Sequence, residues 1–304
     1  MFFGAGQANV GAANLLTLAM READASLSIE DARKRIVLVD SKGLVYDGRP
    51  ADGGSLSPDK APFAANLAEL RSAFSQSRQN KKNLDPTSLA EVVAATRCSM
   101  LVGAAAIPGA FSESVVRQMA KQNDRPIIFA LSNPTSKAEC TAAQAYEWSG
   151  GRAVFASGTK FPDQAVRDGK TGATEQRRPG FANNAFIFPG VALGSLASGA
   201  STVTDKMFLA AALALASLVT EEDLEKGAVY PPTSTIRQAA FFVGAGVAAA
   251  AAEENVARPG ACAGGAIPAA GGKAVPSLDA APGENDAACV NWEACVRDYA
   301  KTCL

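Results

Sequence analysis

The residues with the clearest chemical meaning stand at the start of the chain. Phe2-Phe3 runs directly into Gly4-Ala5-Gly6-Gln7-Ala8-Asn9. Phe2 and Phe3 can end a buried strand. Gly4 permits a tight turn there, and Gly6 lets backbone approach a pyrophosphate with no side chain in the way. A helical segment follows, about Asn9 to Glu22, whose first amides and dipole would face that anion. Its apolar residues Val10, Leu15, Leu16, Leu18 and Ala19 offer a sheet-facing stripe. Position 9 holds Asn where a third glycine is usual. Asp40 ends the run Arg35-Ile36-Val37-Leu38-Val39-Asp40 and can accept hydrogen bonds from an adenosine ribose, although it lies further along than the roughly 20 residues of a compact unit. Asn133 sits in the polar stretch Leu131 to Cys140. The pair Asn183-Asn184 precedes an apolar segment; local sequence favours helix capping, and presenting amides to a carboxylate or carboxamide is its other role. The chain has no histidine, which removes Ser-His-Asp and Cys-His catalysis and histidine metal sites.

Short apolar runs between helical patterns must position these groups. Ser99 to Gly103, Pro126 to Leu131 and Arg152 to Ala156 read as buried strands. Pro86 to Thr96, Ser112 to Lys121 (with Ser112 as cap) and Ala138 to Trp148 read as the helices between them. The pattern predicts an α/β fold, a Rossmann-type doubly wound parallel sheet. In such a sheet ligands sit at the carboxyl ends of the strands, so the loops at 103–112, 131–140 and 155–158 converge on one edge. The stretch Thr171 to Arg178 reads as a polar loop. C-terminal helices follow at about 188–199, 204–220, 221–226 and 234–254.

The 304 residues, 48% of them hydrophobic, give ample core, and the net charge of −1 argues against nucleic acid or an anionic membrane as main partner. The longest apolar run noted, Met207 to Val219, is too short to span a bilayer. From residue 258 to 287, Gly, Ala and Pro dominate, which reads as a disordered low-complexity linker. Residues 288–304 read as a short terminal helix with one apolar face. Cys262, Cys289, Cys295 and Cys303 in this tail lack metal-site spacing and are expected to be free thiols.

Together these segments resemble the C-terminal, nucleotide-binding domain of malic enzymes, nearly continuously from Phe2 to about Glu254. The strongest stretches are Val39-Asp40-Ser41-Lys42-Gly43-Leu44, Arg125 through Cys140, Gly151 through Gly158, Asn183 through Gly194 and Tyr230-Pro231-Pro232. The resemblance implies residues 1–257 as an NAD(P)-binding domain. In it Gly4, Gly6, Gln7, Ala8 and Asn9 would cradle the pyrophosphate and Asp40 would meet the adenosine ribose. Asn133 and Asn184 would contact malate and the nicotinamide surroundings, with Asn183 beside them. Ser41 and Lys60 stand where NADP-preferring members carry a small polar residue and a Lys, so the pattern leans to NADP, with NAD the alternative.

The family oxidises L-malate to pyruvate and CO2 using Mg or Mn. Its general-base Lys, acid Tyr and three carboxylate metal ligands precede the glycine loop, so no catalytic or metal-binding residue is assigned within these 304 residues. The chain is expected to be inactive alone and to require an N-terminal catalytic domain. Homo-oligomerisation and an intracellular location (cytoplasm, mitochondrion or plastid) are further expectations. A non-catalytic nucleotide-binding or regulatory module is the alternative reading.

Overall fold

Leu38-Val39, Leu101-Val102 and Ile128-Phe129 send successive side chains to opposite faces of one sheet, as the period of two requires. Both faces are buried, which explains the continuous apolar runs. The architecture comes from a computed structural model describing residues 1–50, 56–77, 83–167, 169 and 172–258. It divides into two units, one of Met1–Ala182 with Lys226–Ala228, the other of Asn183–Glu225 with the residues from Val229 onward. The linker and terminal helix expected at 258–287 and 288–304, with their four cysteines, lie outside the described residues apart from Arg258.

The first unit carries strands β1 (Phe2–Phe3), β2 (Leu38–Asp40), β3 (Gly43–Leu44), β4 (Met100–Gly103), β5 (Ile127–Ala130) and β6 (Val154–Ser157). Its helices are α1 (Gln7–Ala23), α2 (Ile29–Lys34), α3 (Leu67–Ser77), α4 (Leu89–Thr96), α5 (Glu113–Gln122) and α6 (Ala142–Ser149). Strands β7 (Gln164–Arg167), β8 (Thr174–Arg177) and β9 (Gly180–Phe181) complete it. The sheet order is β3-β2-β1-β4-β5-β6-β9. Every pairing is parallel except β2 with β3. Chain order reverses across β1 and β4, so the carboxyl ends of these strands form the crevice typical of doubly wound sheets. One core joins β-strand residues to α4, α5 and α6 through Val93, Val116, Met119 and Tyr146. The other packs Val10 and Ala13 of α1 with Phe2, Leu38 and Val102.

Several expectations need correction. The inner face of α1 is Asn9, Val10, Ala13 and Thr17, whereas Leu16 is 39% exposed. A helix starting at a tight glycine turn lies close to its strand, and small residues at spacings of three and four fit that gap. The extra length before Asp40 is a separate helix, α2, started by Ser28, whose hydroxyl accepts from the Asp31 N–H. Helix α4 begins after a turn in which Asp85 accepts from Thr87. Ser112 precedes α5, yet its hydroxyl bonds Ser114 and caps no helical N–H. The start of α6 is set at Thr141 by a reciprocal capping box with Gln144. Half of the polar stretch 171–178 is strand β8, Thr174–Arg177, paired antiparallel with β7. The ribbon is anchored by one apolar residue, Val166 of β7, which is buried in the first core.

The second unit is helical: α7 (Phe188–Ser198), α8 (Asp205–Ala216), α9 (Glu221–Glu225) and α10 (Ile236–Glu253). Residues Thr233–Glu253 form one segment of 21 residues, long and apolar enough to cross a membrane by length and composition, which corrects the shorter limit read from sequence. Its apolarity serves packing: Val243, Val247 and Ala248 to Ala251 are buried. A methyl group added to Gly190 would meet Val243 Cβ at 2.5 Å, and one on Gly194 the Gly244 carbonyl oxygen at 2.4 Å, so α7 lies almost backbone to backbone on α10.

Candidate cofactor site

The glycine loop turns at Gly4, whose φ of +98° only glycine adopts without strain. A Cβ there would also meet Ala105 Cβ at 2.9 Å. Gly6 differs: a Cβ on it would meet nothing within 4 Å. It caps α1 with extended backbone and no side-chain hydrogen bond, and the first turn of α1 holds no acid. Gly6, Gln7 and Ala8 are exposed. The helix start thus offers N–H groups without intrahelical acceptors and an uncovered approach to them, which fits a pyrophosphate. Asn9 points inward instead. It is 3% exposed, and its Nδ2 donates to the carbonyls of Phe3 (3.1 Å) and Gly4 (2.7 Å). Its side chain ties helix to strand where a third glycine would merely allow close approach.

Asp40 lies at the same edge, because Gly4 N–H donates to the Val39 carbonyl at 2.7 Å. Its carboxylate is heavily engaged. Arg49 grips it with two bonds, Nη1 to Oδ1 at 2.9 Å and Nη2 to Oδ2 at 2.8 Å. Lys60 Nζ reaches Oδ2 at 3.0 Å and the Lys42 N–H reaches Oδ1 at 2.9 Å. Burial would raise the Asp40 carboxyl; the bonds from Arg49, Lys42 and Lys60 and the Arg49 charge outweigh it and hold the group well below the usual carboxylate range. The Asp40 and Arg49 side chains are each 11% exposed, Lys60 26%. Ser41 is exposed beside them. Sequence reading brought Lys60 to this cluster and missed Arg49. An isolated Arg between Gly48 and Pro50 has no local pattern to mark it.

Beyond the switch point, the loops after β4 and β5 are bound together. Ser132 N–H and Oγ–H point at Glu139, and Ser132 Oγ accepts from the Ala106 N–H at 2.9 Å. Asn133 follows Ser132 and is exposed. Its Nδ2 lies 3.2 Å from where a Gly158 Cβ would stand. A Cβ on Gly158, after β6, would meet the Leu131 carbonyl oxygen at 2.3 Å, so it is the backbone of the loop after β5 that requires glycine there. In the second unit, Asn183 caps a single helical turn at Asn184–Phe186, accepting from the Ala185 N–H at 3.0 Å. Asn184 is exposed.

Among the described residues no group of three or more His, Cys, Asp or Glu side chains could hold a metal ion. Burial raises the Tyr146 and Tyr230 hydroxyls above their ordinary value, which suits neither to proton transfer near neutrality. Burial first, and Glu139 second, push the Cys140 thiol up to about 12.

Comparison with known proteins agrees with this fold. Residues 1–252 match the profile of "Malic enzyme, NAD binding domain". The NADP-dependent malic enzyme of Columba livia is 42% identical over 257 residues, covering 84% of this chain and 41% of that protein. The chloroplastic NADP-dependent malic enzyme of Zea mays is 40% identical, covering 84% of this chain and 36% of that protein. The chain thus spans about two fifths of the length of the curated relatives it matches. The crystal structure of Entamoeba histolytica malic enzyme shares the fold, with a TM-score of 0.59 at 22% identity, over 84% of this chain and 43% of that one. The chain belongs to the malic enzyme family, and residues 1–252 are its NAD-binding domain.

Proposed function

We propose that this chain is the NADP-binding part of an enzyme that oxidatively decarboxylates L-malate to pyruvate and CO2. The observation that carries the cofactor choice is the Asp40, Arg49 and Lys60 cluster. Both Asp40 oxygens already accept charged bonds, which leaves little capacity for a ribose hydroxyl. One acid against two cations leaves a net positive charge, and Lys60 keeps donors to spare. That supports a 2′-phosphate over a bare hydroxyl.

Gly6 and the amides of Gln7 and Ala8 would hold the pyrophosphate, with Asn9 acting through the turn it fixes. Ser41 would add a hydroxyl near the 2′-phosphate. Asn133 and Asn184 would bind the malate carboxylate and the nicotinamide surroundings, and Asn183 would set the turn that carries Asn184. Bound NADP would supply a two-electron acceptor, and the Lewis acidity that decarboxylation calls for would come from Mg or Mn in the intact enzyme. The residues that bind that metal and move protons would belong to the part of the family's enzymes outside this span, supplied together with homo-oligomeric assembly.

Calorimetric titration of the full 304-residue chain tests this. NADP should bind about tenfold more tightly than NAD, the scale of one charge-assisted hydrogen bond. Lys60→Ala should remove that gap. The same chain with malate, Mn and NADP should give no NADP reduction. Equal affinity for the two dinucleotides would overturn the NADP assignment, and binding of neither would overturn nucleotide binding itself.

A further inference from the structure

Glu139 is wholly buried, at 0% exposure, in the loop between β5 and α6. An acid in such a place is rare unless it is bonded, and each of its bonds here reaches a loop at the cofactor edge. Oε1 accepts from the Ala105 N–H at 3.1 Å and from Ser132 Oγ–H at 2.5 Å. Oε2 faces the Ser132 N–H at 3.4 Å. The Glu139 carbonyl accepts from the Phe111 N–H at 3.0 Å. Ser132 passes the link on to Ala106, a non-glycine residue held at a φ of +54°. Left-handed backbone at alanine is strained and persists where its surroundings fix it.

The surrounding chain makes room for this side chain. A Cβ on Gly103 would meet Glu139 Cδ at 2.6 Å and Cγ at 2.7 Å. The anchored segment in turn reaches the glycine turn and the start of the loop after β6. Ala105 lies against Gly4, where a Cβ would meet it at 2.9 Å. Ser132 is bonded directly to Asn133, which lies against Gly158. Movement of Glu139 would therefore release the loops after β4 and β5 together.

We infer that Glu139 is a positioning residue that clamps these two loops for the nicotinamide half of the bound dinucleotide. The inference rests on the NADP-binding reading above. The adenosine half lies over β1 and β2, where Asp40 stands; the other half crosses the switch point to β4 and β5. The clamp bears on the second half, because its bonds hold the loops after β4 and β5 while Asp40 is held separately by Arg49 and Lys60. A buried acid that merely stabilised the fold would affect both halves alike.

The two halves can be read separately. The full chain is titrated with NADP and with adenosine 2′,5′-bisphosphate, which carries only the adenosine end. Glu139→Ala should raise the Kd for NADP about tenfold or more, the consequence of losing one or two buried hydrogen bonds. It should leave the Kd for adenosine 2′,5′-bisphosphate within about twofold. Glu139→Gln keeps the Oε1 acceptor and should restore NADP binding to within about threefold of the unchanged chain. If Glu139→Ala does not fold, Ser132→Ala takes its place, cutting the bridge to Ala106 while retaining the acid; selective loss of NADP binding there supports the clamp. Parallel weakening of both ligands, or unchanged NADP binding in a folded variant, overturns it. Binding of neither ligand by the unchanged chain overturns the nucleotide-binding reading and the clamp with it.

Discussion

The side-chain amide of Asn9 donates to the Gly4 carbonyl at 2.7 Å, joining the first turn of α1 to the turn that precedes it. A second bond to Phe3 makes this one residue the fastener between strand and helix. Asn9→Ala would leave buried carbonyl capacity unmet and should destabilise the first unit by about 1–3 kcal/mol. Urea unfolding followed by fluorescence measures it. A change within about 0.3 kcal/mol would mean that water replaces the amide without loss.

The two loop glycines should respond oppositely. Gly4→Ala forces a Cβ onto Ala105 at positive φ and should cost about 2 kcal/mol or more of stability. Gly6→Ala meets open space at a φ of −85° and should leave the melting temperature nearly unchanged. Its methyl would stand where a pyrophosphate must approach, so NADP affinity should fall about tenfold while the fold persists. Thermal melts and titrations on both variants separate the effects.

Asp40 should govern acid stability. Its folded value lies below that of the unfolded chain, so its contribution is complete above about pH 4 and declines as pH falls further through the depressed value. Asp40→Asn removes the contribution and leaves Arg49 poorly exposed without its acid. The variant should be less stable by about 3 kcal/mol at neutral pH. The difference from the unchanged chain should narrow below about pH 4. Chemical denaturation from pH 7 downward checks it; a constant difference across that range would rule out the linkage.

Cys140 should be chemically silent. Its thiol, pushed up to about 12, carries almost no thiolate near neutrality. Cys98 is raised too, chiefly by burial. Mass spectrometry after brief alkylation at pH 8 should find both unmodified in the folded chain and both labelled in urea. Rapid native labelling at either would show that the core around α5 or α6 opens readily.

Much of this fold was legible because strands β4, β5 and β6 are apolar on both faces, and the runs ending at Gly103, Leu131 and Ala156 stand out. The glycine turn and Asp40 were legible because backbone freedom and a strand-end acid have few other uses. What escaped depends on contacts between distant residues. Leu15 and Leu18 outweigh Ala13 and Thr17 in any count of apolar groups, yet a close helix needs the smaller pair. The ribbon of β7 and β8 buries the single apolar residue Val166, too little of a pattern to mark it. Arg49 and Glu139 draw their meaning from Asp40 and from Ala105 and Ser132, and short-range patterns cannot show a hydrogen bond formed across a sheet edge. An acid flanked by Ala138 and Cys140 was the one local hint.

The glycine seam between α7 and α10 has a further consequence. With Gly190 and Gly194 on one side and Gly244 beside the contact, the two helices mesh at main-chain distance. Sliding either by a single residue would drive Val191 or Ser195 into space that has none to give. The second unit is thus held in one alignment by what its helices lack, and a mutation adding even one carbon there would pry it open where a truncation elsewhere would leave only a void.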